Sequence, residues 1–76
     1  MTKQRRIMLP TVADAKEFVS VASKCDFDID ITYNHMIVDA KSILGILSLG
    51  LEKMFTVNCH GENPEFFREI QKFAVA

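Results

Sequence analysis

The 76-residue sequence has few of the residues that supply cross-links or redox chemistry. Its two cysteines, Cys25 and Cys59, lack the Cys-x-x-Cys spacing of a redox motif or a metal site. We find no secretory signal, and no apolar run approaches the roughly 20 residues that span a membrane. We therefore expect a reduced, cytoplasmic protein that needs neither a disulfide nor a metal, and we expect no cofactor.

An excess of charge of one sign is also missing. Nine basic and ten acidic side chains give a formal net charge of -1. The basic residues are scattered, apart from Lys3, Arg5 and Arg6. A nucleic-acid-binding protein would have a basic patch or stripe. We expect no direct nucleic-acid binding, no membrane insertion, and a monomer or weak dimer.

Catalytic motifs are absent as well. The sequence contains only three glycines, and it has no glycine-rich phosphate loop, no HExxH and no GxSxG. We interpret His35 and His60 as exposed loop residues, at a hairpin tip and after the last strand. Asp28 and Asp30 share one strand face, but two carboxylates alone are usually a solvated strand face. The sequence therefore predicts neither an enzyme nor a metal site.

What the sequence does contain is a regular apolar pattern. Residues alternate between apolar and polar in four segments, and apolar residues recur at helical spacing in three others. The predicted strands cover residues 4–9, 27–33, 36–40 and 55–59, and the predicted helices cover 12–23, 43–49 and 64–74. The apolar stripe of the last helix is predicted to comprise Phe66, Phe67, Ile70, Phe73 and Ala74. The order βαββαβα predicts one α+β domain over residues 1–76, with three helices on one face of a four-stranded antiparallel sheet.

The most informative stretch is the predicted helix over residues 43–49. Ser42 can cap its first turn, and Gly50 tolerates a left-handed conformation at its end. Between these caps the helix is apolar on nearly every side. Successive side chains lie about 100° apart, so they cannot all face one core. Some of this apolar surface should therefore meet water or a partner.

The segment Lys41-Ser42-Ile43-Leu44-Gly45, continuing to Gly50, resembles the regulatory-serine helix of the HPr phosphocarrier family of the bacterial sugar phosphotransferase system. The segment Ala22-Ser23-Lys24 and the Tyr33-Asn34 turn agree with the family without a gap up to Gly50. The resemblance covers most of the chain. It implies the open-faced two-layer sandwich of that family.

The same alignment indicates a degenerate phosphate-relay site. The family motif is Gly-(Ile/Leu)-His-Ala-Arg-Pro-Ala, and residues 9–15 of this chain read Leu-Pro-Thr-Val-Ala-Asp-Ala. In the family, the histidine takes a phosphoryl group from enzyme I and passes it to the sugar-specific components. Here Thr11, Ala13 and Asp14 stand at the histidine, arginine and proline positions. The resemblance therefore implies a member without a catalytic residue. From its spacing to Asp14, we interpret Thr11 as the cap of the first helix.

Ser42, by contrast, keeps its family context. In Gram-positive relatives the matching serine is phosphorylated by a kinase/phosphorylase, and the modified protein binds a catabolite-control transcription factor. The resemblance implies a regulatory or adaptor protein that meets phosphotransferase-system proteins, similar in kind to the catabolite-repression HPr-like proteins. Ser42 would be the phosphorylation site, and the partner contacts would be made by Ile43, Leu44 and Leu47.

Other interpretations stay open at this point. Ser42 could be a helix cap only, and the three apolar residues could pack on the core or on a second copy of the chain. The protein could be a true phosphocarrier that uses a displaced histidine. It could also be an interaction domain that kept only the fold.

Overall fold

The computed structural model describes residues 3–75. Its elements are β1 (Lys3–Met8), α1 (Val12–Ser23), β2 (Ile29–Tyr33), β3 (Met36–Asp39), α2 (Ile43–Leu49), β4 (Met54–Cys59) and α3 (Pro64–Glu69), followed by a 3-10 helix (Ile70–Phe73). The predicted order of strands and helices is confirmed. The predicted bounds of α2 are the observed ones.

The four strands form one antiparallel sheet in the order β1-β4-β2-β3. The central strand β4 pairs with both β1 and β2, and Val57 lies opposite Arg5 on one side and Ile31 on the other. Side chains at the centre of one sheet face, such as Ile31 and Val57, are fully buried, whereas those of the opposite face stay partly or fully exposed. This alternation is expected of a sheet that is covered by helices on one face only. The predicted open-faced α+β sandwich is confirmed.

Local capping explains where the helices begin. Pro10 cannot donate to the sheet and precedes the Thr11 cap of α1. The Asn63 side chain accepts hydrogen bonds from the backbone of Glu65 and Phe66, and Pro64 occupies the first turn of α3. Each helix start is therefore fixed by residues within three positions of it.

The core between the sheet and the helices is apolar. The ring of Phe18 lies 6.3 Å from that of Phe66 and 6.4 Å from that of Phe73, measured between centroids. Tyr33 and Phe55 make an edge contact at 6.0 Å. Among residues 3–75 no polar or charged residue is buried. Burial of apolar surface is thus the main stabilising term of this fold.

The terminal helix differs from its prediction. Phe66, Ile70 and Phe73 are buried as expected, but Phe67 is only half-buried and Ala74 is exposed. After Glu69 the helix tightens to 3-10 geometry, which changes the angle between successive side chains and moves them off one continuous stripe. Phe67 instead lies near the β1 edge, with the Arg5 guanidinium 4.8 Å from its ring centroid.

The C-terminal segment covers part of the β1 edge of the sheet. The Val75 N–H donates to the Arg6 carbonyl at 3.0 Å, and Ala74 forms an isolated bridge with Ile7. The two edges of the sheet are therefore not equivalent. None of the helices in the described range 3–75 has the length and apolar character needed to cross a membrane.

Candidate functional site

The start of α1, where the sequence predicted a degenerate relay site, is closed by a reciprocal cap. Thr11 is extended, with φ -129°, and its Oγ1 accepts a hydrogen bond from the Asp14 N–H at 3.1 Å. The same hydroxyl donates to Oδ2 of Asp14 at 2.9 Å. Ala13 is exposed and contributes no polar group. The hydroxyl thus both donates and accepts a hydrogen bond. The helix start would favour a bound phosphate, but the Asp14 carboxylate already occupies it.

Neither histidine belongs to the segment that begins α1. His35 occupies the turn between β2 and β3, and His60 directly follows β4. The His60 side chain is exposed as predicted, but sequence reasoning missed its partner, because Nε2 lies 2.9 Å from Oδ2 of Asp30. The register that sets Asp30 opposite Asn58 brings the two together. No pattern within either strand reveals that register.

The start of α2 is capped by Ser42, as the sequence predicted. Its Oγ accepts the Gly45 N–H at 3.1 Å, and its own N–H donates to the Asp39 carbonyl at 3.0 Å. A Cβ at Gly45 would lie 3.2 Å from Cβ of Val38 and 3.3 Å from the Ser42 Oγ, so glycine allows α2 to pack closely on β3. At the other end Gly50 has φ 94°, a conformation that favours glycine.

Lys41 holds the segment before α2 in place, a role that the sequence did not reveal. Its Nζ donates to the Cys25 carbonyl at 2.8 Å, and its backbone N–H donates to Oδ1 of Asp39 at 2.9 Å. The first contact joins residues that are 16 positions apart. Only the packing of α1 beside α2 brings these groups together.

The apolar surface of α2 is divided between the core and solvent. Ile46 and Leu49 are buried, and Ile43 and Leu47 are half-buried and pack against the core. Leu44 is 78 % exposed. Of the three residues predicted to contact a partner, Leu44 therefore presents the most accessible surface. The exposure of Leu44 agrees with the expectation that α2 cannot bury all its apolar side chains.

The open face of the sheet carries a chain of polar contacts across three strands. The Gln4 amide donates to Oδ1 of Asn58 at 2.8 Å, and the Asn58 amide donates to Oδ1 of Asp30 at 2.7 Å and to Oγ1 of Thr32 at 2.9 Å. Beside it lies an open groove of about 530 Å³, lined by Asp28, Ile29, Asp30, Ile37, Val38, Asp39 and His60. Within residues 3–75 there is no group of three or more His, Cys, Asp or Glu side chains suited to a metal ion.

The two cysteines are free and buried. Burial, together with the nearby Cys25, raises the pKa of the Cys59 thiol to about 11. The thiol therefore stays protonated at neutral pH, whereas a thiolate is needed for nucleophilic chemistry. Cys59 and the adjacent His60 do not form a catalytic pair here, because the imidazole is directed to Asp30.

Comparison with known proteins agrees with this architecture. A family model described as "PTS HPr component phosphorylation site" matches residues 12–74. A crystal structure of the phosphocarrier protein HPr from Bacillus anthracis str. Ames is 28 % identical, covers 97 % of this chain and 98 % of its own, and superposes with a TM-score of 0.75. The structure of HPr-C-His from Thermoanaerobacter tengcongensis is 27 % identical, covers 92 % and 88 % of the two chains, and gives a TM-score of 0.77.

The family model spans α1 to the end of the 3-10 helix, and both structures superpose on this fold over nearly the whole chain. The chain therefore belongs to the HPr family of the phosphotransferase system, whose members are phosphocarrier proteins and not enzymes.

Proposed function

We propose that this HPr-family protein does not relay phosphate and acts as a cytoplasmic regulatory adaptor of the phosphoenolpyruvate-dependent sugar phosphotransferase system. One contrast carries the proposal. The start of α1 holds the Thr11–Asp14 cap and no histidine, whereas the start of α2 holds Ser42 with the exposed Leu44 two residues later.

The chemistry of the α1 site argues against a relay. A phosphoryl relay needs a nucleophile that forms a labile phosphorylated intermediate and a cation that pairs with the phosphate oxygens. A threonine hydroxyl would form a stable ester, and Ala13 supplies no cation. The Asp14 carboxylate, which already accepts the Thr11 hydroxyl, would repel an incoming phosphoryl group.

The chemistry of the α2 site suits regulation by modification. Phosphate on Ser42 would add roughly -1.5 to -2 charges and three acceptor oxygens at the first turn of α2. The Gly45 N–H already points at the Ser42 Oγ, so the modified side chain finds a donor without rearrangement of the helix. A kinase/phosphorylase would act on Ser42. The partners would be phosphotransferase-system proteins and a catabolite-control transcription factor. They would contact mainly Leu44, and Ile43 and Leu47 would add smaller contacts.

Intact-mass measurement after two separate reactions tests the proposal. We expect no added phosphate from enzyme I with phosphoenolpyruvate, and one phosphate from the serine kinase with ATP. Ser42→Ala should abolish the second modification and leave the fold unchanged. One phosphate from the first reaction would instead indicate a true phosphocarrier with a displaced histidine, and His35→Gln and His60→Gln would then locate it.

A matched pair of surface variants tests the docking role of α2. Leu44→Glu places a charge on the exposed face of the helix and should abolish kinase modification of Ser42, because docking needs this apolar residue. Met54→Glu is the control, since Met54 is an exposed apolar residue of the sheet. Equal modification of both variants would contradict the adaptor role and leave an interaction domain that kept only the fold.

A further inference from the structure

The strand β3 forms an open edge of the sheet. Among residues 3–75 it pairs only with β2, and its pairs Tyr33↔Met36 and Ile31↔Val38 alternate with the pair Thr32↔Ile37. The Ala40 N–H donates to the Ile29 carbonyl at 2.9 Å, which identifies the register of hydrogen-bonded pairs. Because antiparallel pairs alternate, the backbone N–H and C=O of Ile37 point away from β2. Within residues 3–75, no further strand lies on that side.

This edge lacks the protection that the opposite edge has. At β1, the C-terminal segment bonds to Arg6, and Lys3 and Arg5 add charge. Natural sheet edges are commonly guarded by such cover or by inserted lysine or proline. The β3 edge has neither lysine nor proline, and it exposes Ile37 to 68 % and Met36 to 50 %. It is therefore the edge at which another chain can add.

The negative charge next to this edge favours a positively charged binding partner. Ile37 is one wall of the groove that also contains Asp28, Asp30 and Asp39. Among residues 3–75, the lysine salt bridges involve Glu62 and Glu17 and none of these three carboxylates. The Lys41 ammonium is bound to the Cys25 carbonyl. The groove thus keeps a negative charge beside an apolar residue.

We propose that the outer edge of β3 is a second docking site, which takes an extended, positively charged segment of a partner protein as an added strand. The backbone of that segment would bond to the N–H and C=O of Ile37, about 4.8 Å away in the plane of the sheet. Its side chains on the open face would place lysine or arginine over the groove and an apolar residue against Ile37. A second copy of this chain fits less well, because pairing two β3 strands would bring two acidic grooves together.

Among residues 3–75 the ion pair at this site is His60 with Asp30, and Asp28 and Asp39 are in no ion pair. Arg6 shares the open face, but it lies three strands away in the row Arg6, Thr56, Thr32, Ile37, at about 14 Å for the usual strand spacing. His60 already binds Asp30. Ile37 faces the open side of the sheet, whereas α2 packs on the opposite face, and Asp39 is the groove residue that also bonds to the start of α2, at Lys41 and Ser42.

Binding of synthetic peptides tests the proposal directly. We expect a capped peptide of alternating lysine and valine to bind and to shift the amide resonances of residues 36–39, with an affinity that falls as salt is raised. The matched peptide of alternating glutamate and valine should bind at least tenfold more weakly, by about 1.4 kcal/mol. The replacements Asp28→Asn and Asp39→Asn should weaken binding of the lysine peptide and strengthen binding of the glutamate peptide.

A proline substitution isolates the backbone contact. Ile37→Pro removes an outward N–H and no bond to β2, so it should keep the fold and reduce peptide affinity about tenfold or more. Ile37→Thr is the control, because it keeps the backbone N–H and loses only apolar contact. Its loss of peptide affinity should therefore be smaller than that of Ile37→Pro. Leu44→Glu should leave peptide binding unchanged, which separates this site from the proposed function of α2.

Any one of the following results would overturn the proposal: equal binding of the two peptides, resonance shifts confined to β1, or an Ile37→Pro variant that is folded and binds as the wild type does. Self-association that increases when Asp28 is neutralised would identify a second copy as the occupant and would also contradict it.

Discussion

Thr11 engages both the proton and a lone pair of its hydroxyl in one helix cap, by donating to the Asp14 carboxylate and accepting from the Asp14 N–H. Thr11→Ala should lower the free energy of unfolding by about 1 kcal/mol, because the cap is lost. Urea unfolding measures this cost. Thr11→Ser keeps the hydroxyl and should restore most of the stability, whereas an equal loss in both variants would show that the hydroxyl is not the stabilising group.

The same residue should be convertible toward phosphate transfer. The variant Thr11→His with Ala13→Arg restores the imidazole and the cation at the start of α1, and the helix N-terminus still favours an added phosphate. We expect partial phosphorylation by enzyme I, limited by the Asp14 charge, and intact mass detects it. Adding Asp14→Asn should increase the modified fraction. A folded variant that stays unmodified would mean that the surface for enzyme I has diverged.

The buried thiol of Cys59 predicts a dependence of stability on pH. Its pKa is raised from 9.0 to about 11 in the folded protein, mainly by burial. A raised pKa means that the stabilising contribution is complete below pH 9 and is lost as the pH rises toward 11. Unfolding free energies across this range should fall by roughly 2 kcal/mol more in the wild type than in Cys59→Ala. Parallel curves for the two proteins would contradict the assignment.

At the scale of the element, α3 presents adjacent aromatic residues to different surroundings. Phe66 is 1 % exposed and contacts Phe18, whereas Phe67 is half-buried below Lys3 and Arg5. Phe66→Ala should therefore cost roughly 3–5 kcal/mol, and Phe67→Ala about half as much. Chemical denaturation of the two variants gives the comparison. Equal costs would mean that Phe67 contributes to the core as the simple helical stripe predicts.

At the scale of the whole molecule, an apolar core takes the place of cross-links. A domain of 76 residues is near the size at which one core is marginally sufficient. Here all the buried residues in the described range are apolar, and both cysteines are free. Neither a chelator nor a reductant should change the midpoint of thermal unfolding. A drop with a chelator would reveal a structural metal, and a drop with a reductant would reveal a disulfide.

The features that the sequence determined by itself are those fixed by near neighbours along the chain. Ser42 and Gly50 bound α2 because each forms its capping hydrogen bond within three residues. The Thr11 cap of α1 is equally local. The alternation of apolar residues fixes the strands, and their order with the helices fixes the α+β sandwich, since each apolar face must be covered.

Tertiary structure decided the features that depend on residues far apart in the chain. The His60–Asp30 contact needs the register of β4 against β2, and the Lys41 contact with Cys25 needs α1 beside α2. The exposure of Phe67 depends on where α3 meets the β1 edge. Within residues 3–75 the edge at β3 is open because the strand order places β3 last, and the C-terminal segment bonds to β1 at the other side of the sheet. Such contacts depend on how distant segments pack together, and the propensities of neighbouring residues do not predict them.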